Sequence, residues 1–268
     1  MSDPTPGWWR RTGIDLRLLL MCVLLAVMAV AFSIMSGGVF LSPENLYNVA
    51  QQTAVVGIVS TVMVLIIVAR HIDLSVGSVM GFVGVLIAYL QYTSGWSWPT
   101  ACLAGLAVAL LVSIYQGWLT AVLGVPSFVV TLGGLMSFRG AAFLVADGKT
   151  QPVNDEFFQR LGGGYDGGIG VTASWVLAGL VALVLFGRMV QKRRARQRYD
   201  MPTEALWLDV LLTAVPVAVV VGFAWVMNSY QISSKSEPQG IPIPVLIWAA
   251  VAIVLSFIVH RTRFGRYV

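Results

Sequence analysis

The stretch IIVARHIDLSVGSVMG (Ile66–Gly81) decides the fold. An apolar run ends in Arg70, His71 and Asp73, and a second apolar run begins at once with Val76, carrying Gly77, Ser78 and Gly81. The segment from Val76 to about Leu90 spans roughly 22 Å as a helix, short of the ~30 Å hydrocarbon core. A short, Gly-rich segment beside polar residues has the form of a discontinuous helix lining a pathway. Two readings of the charges stand side by side. Arg70 and His71 make an ordinary basic junction at a membrane face, or Asp73 to Ser75 is a true break, with the carboxylate capping backbone N–H groups of the next helix. Gly77 and Gly81, four apart, share a face and suit close helix packing.

The rest of the chain sets the context. Of 268 residues, 57% are hydrophobic and only 11% charged, against about 25% charged in soluble domains. The apolar residues fall in blocks of roughly 17–22, the length of a membrane-crossing helix. Eight spans are expected, at 18–36, 49–69, 76–90, 99–118, 125–145, 172–190, 206–227 and 243–259, in one all-α domain covering residues 1–268. The first block is too long for a secretory signal and reads as an uncleaved span.

The net charge of +5 does not point to nucleic acid, because the basic residues cluster between apolar blocks. With the N-terminus inside, the cytoplasmic side holds Arg10, Arg11, Arg17, Arg70, the connection RMVQKRRARQR (Arg188–Arg198) and the tail HRTRFGR, 13 of the 17 Lys and Arg residues. The other side holds Lys149, Arg160 and Lys235, so the positive-inside rule places both termini in the cytoplasm. Trp8, Trp9, Trp96, Trp98, Trp118, Trp175, Trp207 and Trp225 fall near span ends, as interfacial rings do. The outer connection 146–171 reads as a Gly-rich loop with one short interfacial helix around Phe157 and Phe158. Cys22 and Cys102 lie in apolar runs and read as small hydrophobes.

Reactive constellations are missing from the sequence. There is no His-Glu-x-x-His and no Gly-x-Ser-x-Gly. His71 and His260 are the only histidines, which argues against a metal site or His-based acid–base chemistry. DGKT (Asp147–Thr150) resembles the end of a phosphate loop, but that loop needs glycine at position 143, which is Phe143. No catalytic residue, metal or cofactor is expected. An ion- or proton-coupled secondary transporter needs acidic residues deep in a span, and none of the spans has one. A fragment that only scaffolds a partner is a third reading.

A second passage, VPSFVVTLGGLMSFRGAAFLVADG (Val125–Gly148), carries Pro126 in the first turn of a span, where its missing N–H costs nothing. Ser127, Thr131 and Ser137 either back-bond to their own helix or face a path. Gly133, Gly134 and Gly140 suit close neighbours. Arg139 either snorkels to the outer interface or serves a path or ion pair.

Together, IDLSVGS and VPSFVVTLGGLMSFRG resemble the permease subunits of bacterial ABC importers for pentoses and related monosaccharides. NSYQ (Asn228–Gln231), GIPIPVL (Gly240–Leu246) and RTRFGRYV (Arg261–Val268) continue the likeness in order, from about Tyr47 to the last residue. The arginine-rich connection and Phe-Arg-Gly favour the D-xylose branch over the ribose and galactose branches. The resemblance implies a type II ABC importer-like permease, all-helical and homodimeric in the bacterial inner membrane. Its partners would be a separate ATP-binding subunit, a periplasmic sugar-binding protein and the lipid bilayer, with no nucleic acid. It also implies that Asp73, Ser75, Gly77, Ser78, Ser127, Thr131, Arg139, Asn228 and Tyr230 lie in the motifs or along the path. Two departures stand out: His71 occupies a position often small or acidic in the family, and family members continue past FGRYV into an ATPase-docking segment and further spans. The 268 residues are thus expected to be the first two-thirds of a permease, with ATP coupling beyond them.

Overall fold

In the computed structural model, residues 16–164, 166–199, 206–231 and 238–267 are described. The readings resting on Trp8, Trp9, Arg10, Arg11 and Lys235 lie outside them. The described chain is helical throughout, with one isolated antiparallel bridge, Gly168 to Pro242. The helices are α1 (Leu16–Met35), α2 (Pro43–Val68), α3 (Val76–Tyr92), α4 (Trp98–Ala121), α5 (Ser127–Ala146), α6 (Glu156–Leu161), α7 (Val171–Arg198), α8 (Leu206–Asn228), α9 (Ile243–Arg261) and α10 (Arg263–Tyr267). A 3₁₀ turn, Val39–Leu41, precedes α2. Six of them (α2, α4, α5, α7, α8 and α9) are long and apolar enough to cross a membrane, and α1 and α3 are shorter apolar helices. No more than 11% of the most apolar window of any of the six is buried. So much outward-facing apolar surface is tolerable only against hydrocarbon or further protein.

A helix lies at each of the eight expected positions, six of them long and apolar enough to cross a membrane, with two corrections. The second begins at Pro43, six residues before the expected 49. The Ser42 hydroxyl accepts a hydrogen bond from Asn45 N–H at 3.3 Å, Pro43 occupies the first turn and Glu44 follows. A cap, a first-turn proline and a first-turn acid together start a helix before hydrophobicity does. The basic run Arg188–Arg198 is not a connection but the last turns of α7, which runs for 28 residues. Arg, Lys, Gln and Ala are strong helix formers, so the helix continues after the apolar face has ended. The short outer helix around Phe157 and Phe158 is α6, capped by Asp155, whose carboxylate accepts from Phe158 N–H at 2.9 Å.

Packing divides the helices into two groups. Helix α3 lies against α5 and α4; α2 lies against α9 and α8, and α7 against α8. Helix α1 packs on the 3₁₀ turn and leaves nearly all its side chains exposed. Close approach is secured by glycine in both groups. A Cβ at Gly105 of α4 would lie 2.5 Å from Ile87 of α3, and one at Gly57 of α2 would lie 2.5 Å from the Trp248 indole of α9. Trp248 Nε1–H donates to Thr61 Oγ1 at 3.0 Å, and Thr61 donates onward to Gly57 C=O at 2.7 Å. The buried cluster of Tyr47, Ala178, Ala224, Met227 and Ile241 fills the junction of α2, α7, α8 and the segment before α9.

Alternate connections gather at opposite ends, as eight crossings require. At one end Ile72, between α2 and α3, bonds to Ser127 at the start of α5. At the other, the α7-side loop pairs with the segment before α9: Ile169 N–H donates to Ile241 C=O at 3.1 Å and Ile243 N–H to Gly167 C=O at 2.7 Å. Trp98 and Phe157 stack at this same end, with ring centroids 4.9 Å apart.

Not every glycine does what its spacing suggested. Gly77, Gly81, Gly133 and Gly140 have no atom within 4 Å of a would-be Cβ, so the expected close neighbours are absent among the described residues. The physical reason is rotational: α3 turns Ser75 and Ala88 inward, leaving the Gly77–Gly81 face outward. Gly57→Ala should therefore cost about 1–3 kcal/mol by overpacking Trp248. Gly81→Ala should cost nothing, or gain up to about 1 kcal/mol in helix propensity. Thermal melts of the detergent-solubilised variants check this, and equal losses at the two positions would contradict the packing described.

Candidate functional site

The candidate site is built where α2 ends. Arg70 adopts a left-handed backbone, φ 62°. Arg70 N–H donates to Ile67 C=O and His71 N–H to Ile66 C=O, each at 2.9 Å. That is a Schellman closure, usually built on glycine; a non-glycine residue there carries a strain of about 1–2 kcal/mol. The break is therefore an ordered stop, made before Asp73 is reached.

Four residues then re-start the chain as α3. Asp73 Oδ1 accepts from Ser75 N–H and from the Ser75 hydroxyl, both at 2.7 Å. The carboxylate thus holds Ser75, the N-cap residue itself, rather than N–H groups inside the helix as the sequence suggested. Ser78 Oγ donates back to Ser75 C=O at 2.8 Å. Ile72 is tied to α5 through both its backbone groups. Its N–H donates to Ser127 Oγ at 3.2 Å, and its C=O lies 3.2 Å from Thr131 Oγ1. Thr131 also lies 2.9 Å from Ser127 C=O, so its one proton is placed to back-bond within α5 or to bridge to Ile72. The two sequence motifs, some fifty residues apart, are one hydrogen-bonded unit.

Gln116 of α4 completes it and was not singled out in the sequence. Its amide lies 3.1 Å from Ser75 Oγ. A serine hydroxyl has one proton, and Asp73 takes it. The Gln116 amide therefore bonds productively with its NH₂ toward Ser75; with its carbonyl there, the NH₂ is buried without a partner. The approach is possible because residue 134 of α5 is glycine: a Cβ there would overlap the Gln116 amide and lie 3.1 Å from Ser75 Cβ. The signal that could have revealed Gln116 is SIYQGWLT itself, a lone amide in an apolar span.

Asp73, Ser113 and Gln116 stand between two cavities. One, of about 390 Å³, is also lined by His71, Thr120 and Ser127. The other, of about 440 Å³, runs along the apolar side of α3 past Val79 and Val83. Both fall in the size range of small-molecule sites, about 300–1,000 Å³. The wall between them offers a carboxylate, hydroxyls and a primary amide, groups that bind neutral polyhydroxylated molecules by hydrogen bonding alone.

The remaining expected residues lie elsewhere. Gly77 is on the outward face of α3, and Arg139 is exposed on α5 without a hydrogen-bond or ion-pair partner among the described residues. Asn228 and Tyr230 sit at the opposite end of the molecule. Tyr230 stacks on Tyr47, ring centroids 4.7 Å apart, and both amide atoms of Asn228 are buried without partners. At that end Ser174 Oγ donates to Gly170 C=O at 2.7 Å and accepts from Ile241 N–H at 2.8 Å. Among the described residues no group of three or more His, Cys, Asp or Glu side chains could hold a metal.

Asp73→Asn retains an acceptor oxygen and should melt within a degree or two of the parent chain, while Asp73→Leu strands the Ser75 N–H at a cost of about 1–3 kcal/mol. Detergent melts and membrane accumulation are the measurements. An Asp73→Leu chain indistinguishable from the parent would remove the carboxylate from this role.

A family model described as branched-chain amino acid transport system / permease component matches residues 45–268. A xylose transport system permease protein of Haemophilus influenzae is 34% identical over 96% of this chain and 65% of its own length. One of Escherichia coli K12 is 29% identical over 99% of this chain and 65% of its own. A fructose import permease protein of Rhizobium meliloti is 32% identical over 50% of this chain and 37% of its own. The chain thus spans about 65% of the length of its xylose-permease relatives. No solved structure matches it. With its helices long and apolar enough for repeated crossings and the family model covering all but its first 44 residues, the chain is a multi-pass membrane protein that belongs to the transport-system permease component family.

Proposed function

We infer that residues 1–268 form one transmembrane permease domain of an ATP-driven importer in the bacterial inner membrane, carrying a pentose, with D-xylose the first candidate. The chain would work as a homodimer with a separate ATP-binding subunit and a periplasmic sugar-binding protein. The observation that carries this reading is the wall of Asp73, Ser75, Ser113 and Gln116 between two cavities at a helix break. Sugars are neutral and rich in hydroxyls, and such a wall exchanges hydrogen bonds with them without desolvating a charge on the ligand. The names of the xylose transport relatives support the substrate class. The unpartnered faces of α1 and α3 support a second copy. A multi-component system with a separate energising subunit, rather than a self-sufficient ion-coupled carrier, is supported by the family's description as the permease component of a transport system.

Orientation follows from the basic end. Arg70, Arg188–Arg198 and Arg261–Arg266 lie on connections or helix ends of one parity, so the positive-inside rule makes that end cytoplasmic. In a background lacking Cys22 and Cys102, a membrane-impermeant thiol reagent added outside should modify Asn154→Cys and spare Ala195→Cys. Modification of position 195 alone would invert the map.

Cells lacking their own pentose importers, given the genomic segment that encodes this chain, should take up radiolabelled D-xylose. Vanadate, which mimics the phosphoryl transition state of ATP hydrolysis, should block uptake in right-side-in preparations loaded with it. Gln116→Leu should lower uptake about tenfold, the equivalent of one lost hydrogen bond of ~1.4 kcal/mol. Uptake that ignores vanadate and stops with a protonophore would replace this reading by ion coupling.

A further inference from the structure

A cavity of about 270 Å³ lies between α7 and α8 and shares no lining residue with the cavities of the candidate site. Its α7 wall is a single helical face, Leu185, Arg188, Met189, Lys192, Arg193 and Arg196, spaced by three and four residues. Its α8 wall carries Asp209, the one acidic side chain lining it among the described residues, with Leu212 and Pro216. Arg193 Nη1 donates to Asp209 Oδ2 at 2.8 Å, with both side chains at most one-quarter exposed. That pair closes on itself. Arg188 and Lys192 are exposed and have no ion-pair partner among the described residues. Arg196 lines the cavity too but has an interaction of its own.

We propose that this cavity binds the phosphate of an anionic phospholipid, held by Arg188 and Lys192, with the acyl chains running down the apolar side of the α7–α8 groove. Depth favours a lipid over a soluble anion. Arg188 lies seventeen residues into α7 from Val171, about 26 Å at 1.5 Å per residue, and Lys192 one turn further, so the two cations straddle the edge of a ~30 Å hydrocarbon core. Below them the lining turns apolar at Leu185 and Leu212, and the neighbouring Leu183, Phe186 and Val215 are all more than half exposed. A cationic head site continuous with an outward apolar surface matches an amphipathic ligand. Basic pockets between spanning helices bind phospholipid head groups in this way, and guanidinium–phosphate pairing is bidentate and charge-assisted. The Arg193–Asp209 pair sets the spacing of the groove by tying α7 to α8 behind the free cations.

The test uses the purified chain in detergent, offered phosphatidylglycerol or phosphatidylcholine, with bound lipid counted by native mass spectrometry. The chain should retain phosphatidylglycerol in preference to phosphatidylcholine, and millimolar inorganic phosphate should not displace it. Arg188→Gln with Lys192→Gln should reduce retention about thirtyfold, as loss of two basic contacts to an anionic lipid would. Arg194→Gln with Arg198→Gln removes the same charge from the same helix but outside the cavity, and should leave retention unchanged. If the first pair does not accumulate, the single variants Arg188→Gln and Lys192→Gln are compared with Arg194→Gln, each of the first two losing lipid and the third not. Equal losses in both pairs would reduce the effect to diffuse charge and overturn the site. Displacement by inorganic phosphate would overturn the lipid assignment, and equal retention of both lipids would leave only an apolar groove.

Discussion

A backbone N–H or C=O without a partner costs several kcal/mol in hydrocarbon, and that constraint governs how this chain breaks a helix. Between Val68 and Val76 the α-helical ladder stops, and a closing turn and nearby side chains take over part of its hydrogen bonding. The Schellman closure at Arg70 and His71 takes up the last carbonyls of α2. Asp73 takes the Ser75 N–H, and Ser127 and Thr131 are placed to take both backbone groups of Ile72. The polar side chains gathered at this point are tolerated because much of their hydrogen bonding is spent on the backbone. The Gln116 amide is held against Ser75, and Asp73 and Gln116 line both neighbouring cavities.

The division into two helical groups follows from the same economy. The α2–α3 connection at the basic end is tied to the start of α5 through side chains, whereas the opposite end is tied by backbone pairing between residues 167–170 and 239–243. Both ends are ordered without a sheet or a soluble domain among the described residues. The interior between them is thin: small residues and glycines carry the contacts, and the large apolar side chains face outward.

Much of this was legible in the sequence because hydrocarbon thickness acts as a ruler. Eight apolar blocks became eight helices, and the unusual density of Arg70, His71 and Asp73 marked a real break. What was not legible depended on rotation about a helix axis. Spacing of four predicted that Gly77 and Gly81 share a face, correctly, but not that the face points away from the rest of the chain. Gln116 escaped notice for a related reason: a single amide gives no periodic signal, and its importance comes from two other helices. The start of α2 and the length of α7 were missed because a cap and a run of helix-forming cations extend helices beyond the apolar pattern.

The contact of Gln116, Ser75 and Gly134 has a consequence for how such a sequence can drift. Three helices meet at one point with no room for a methyl group, so the three positions are not free to vary one at a time. A larger residue at 134 demands a shorter one at 116, and a shorter one at 116 deprives Ser75 of its amide donor. Exchange at this crossing therefore comes in concerted sets, and a lineage that acquires a different polar group at 116 has to pass through, or leap over, a state in which the helix crossing itself is loosened.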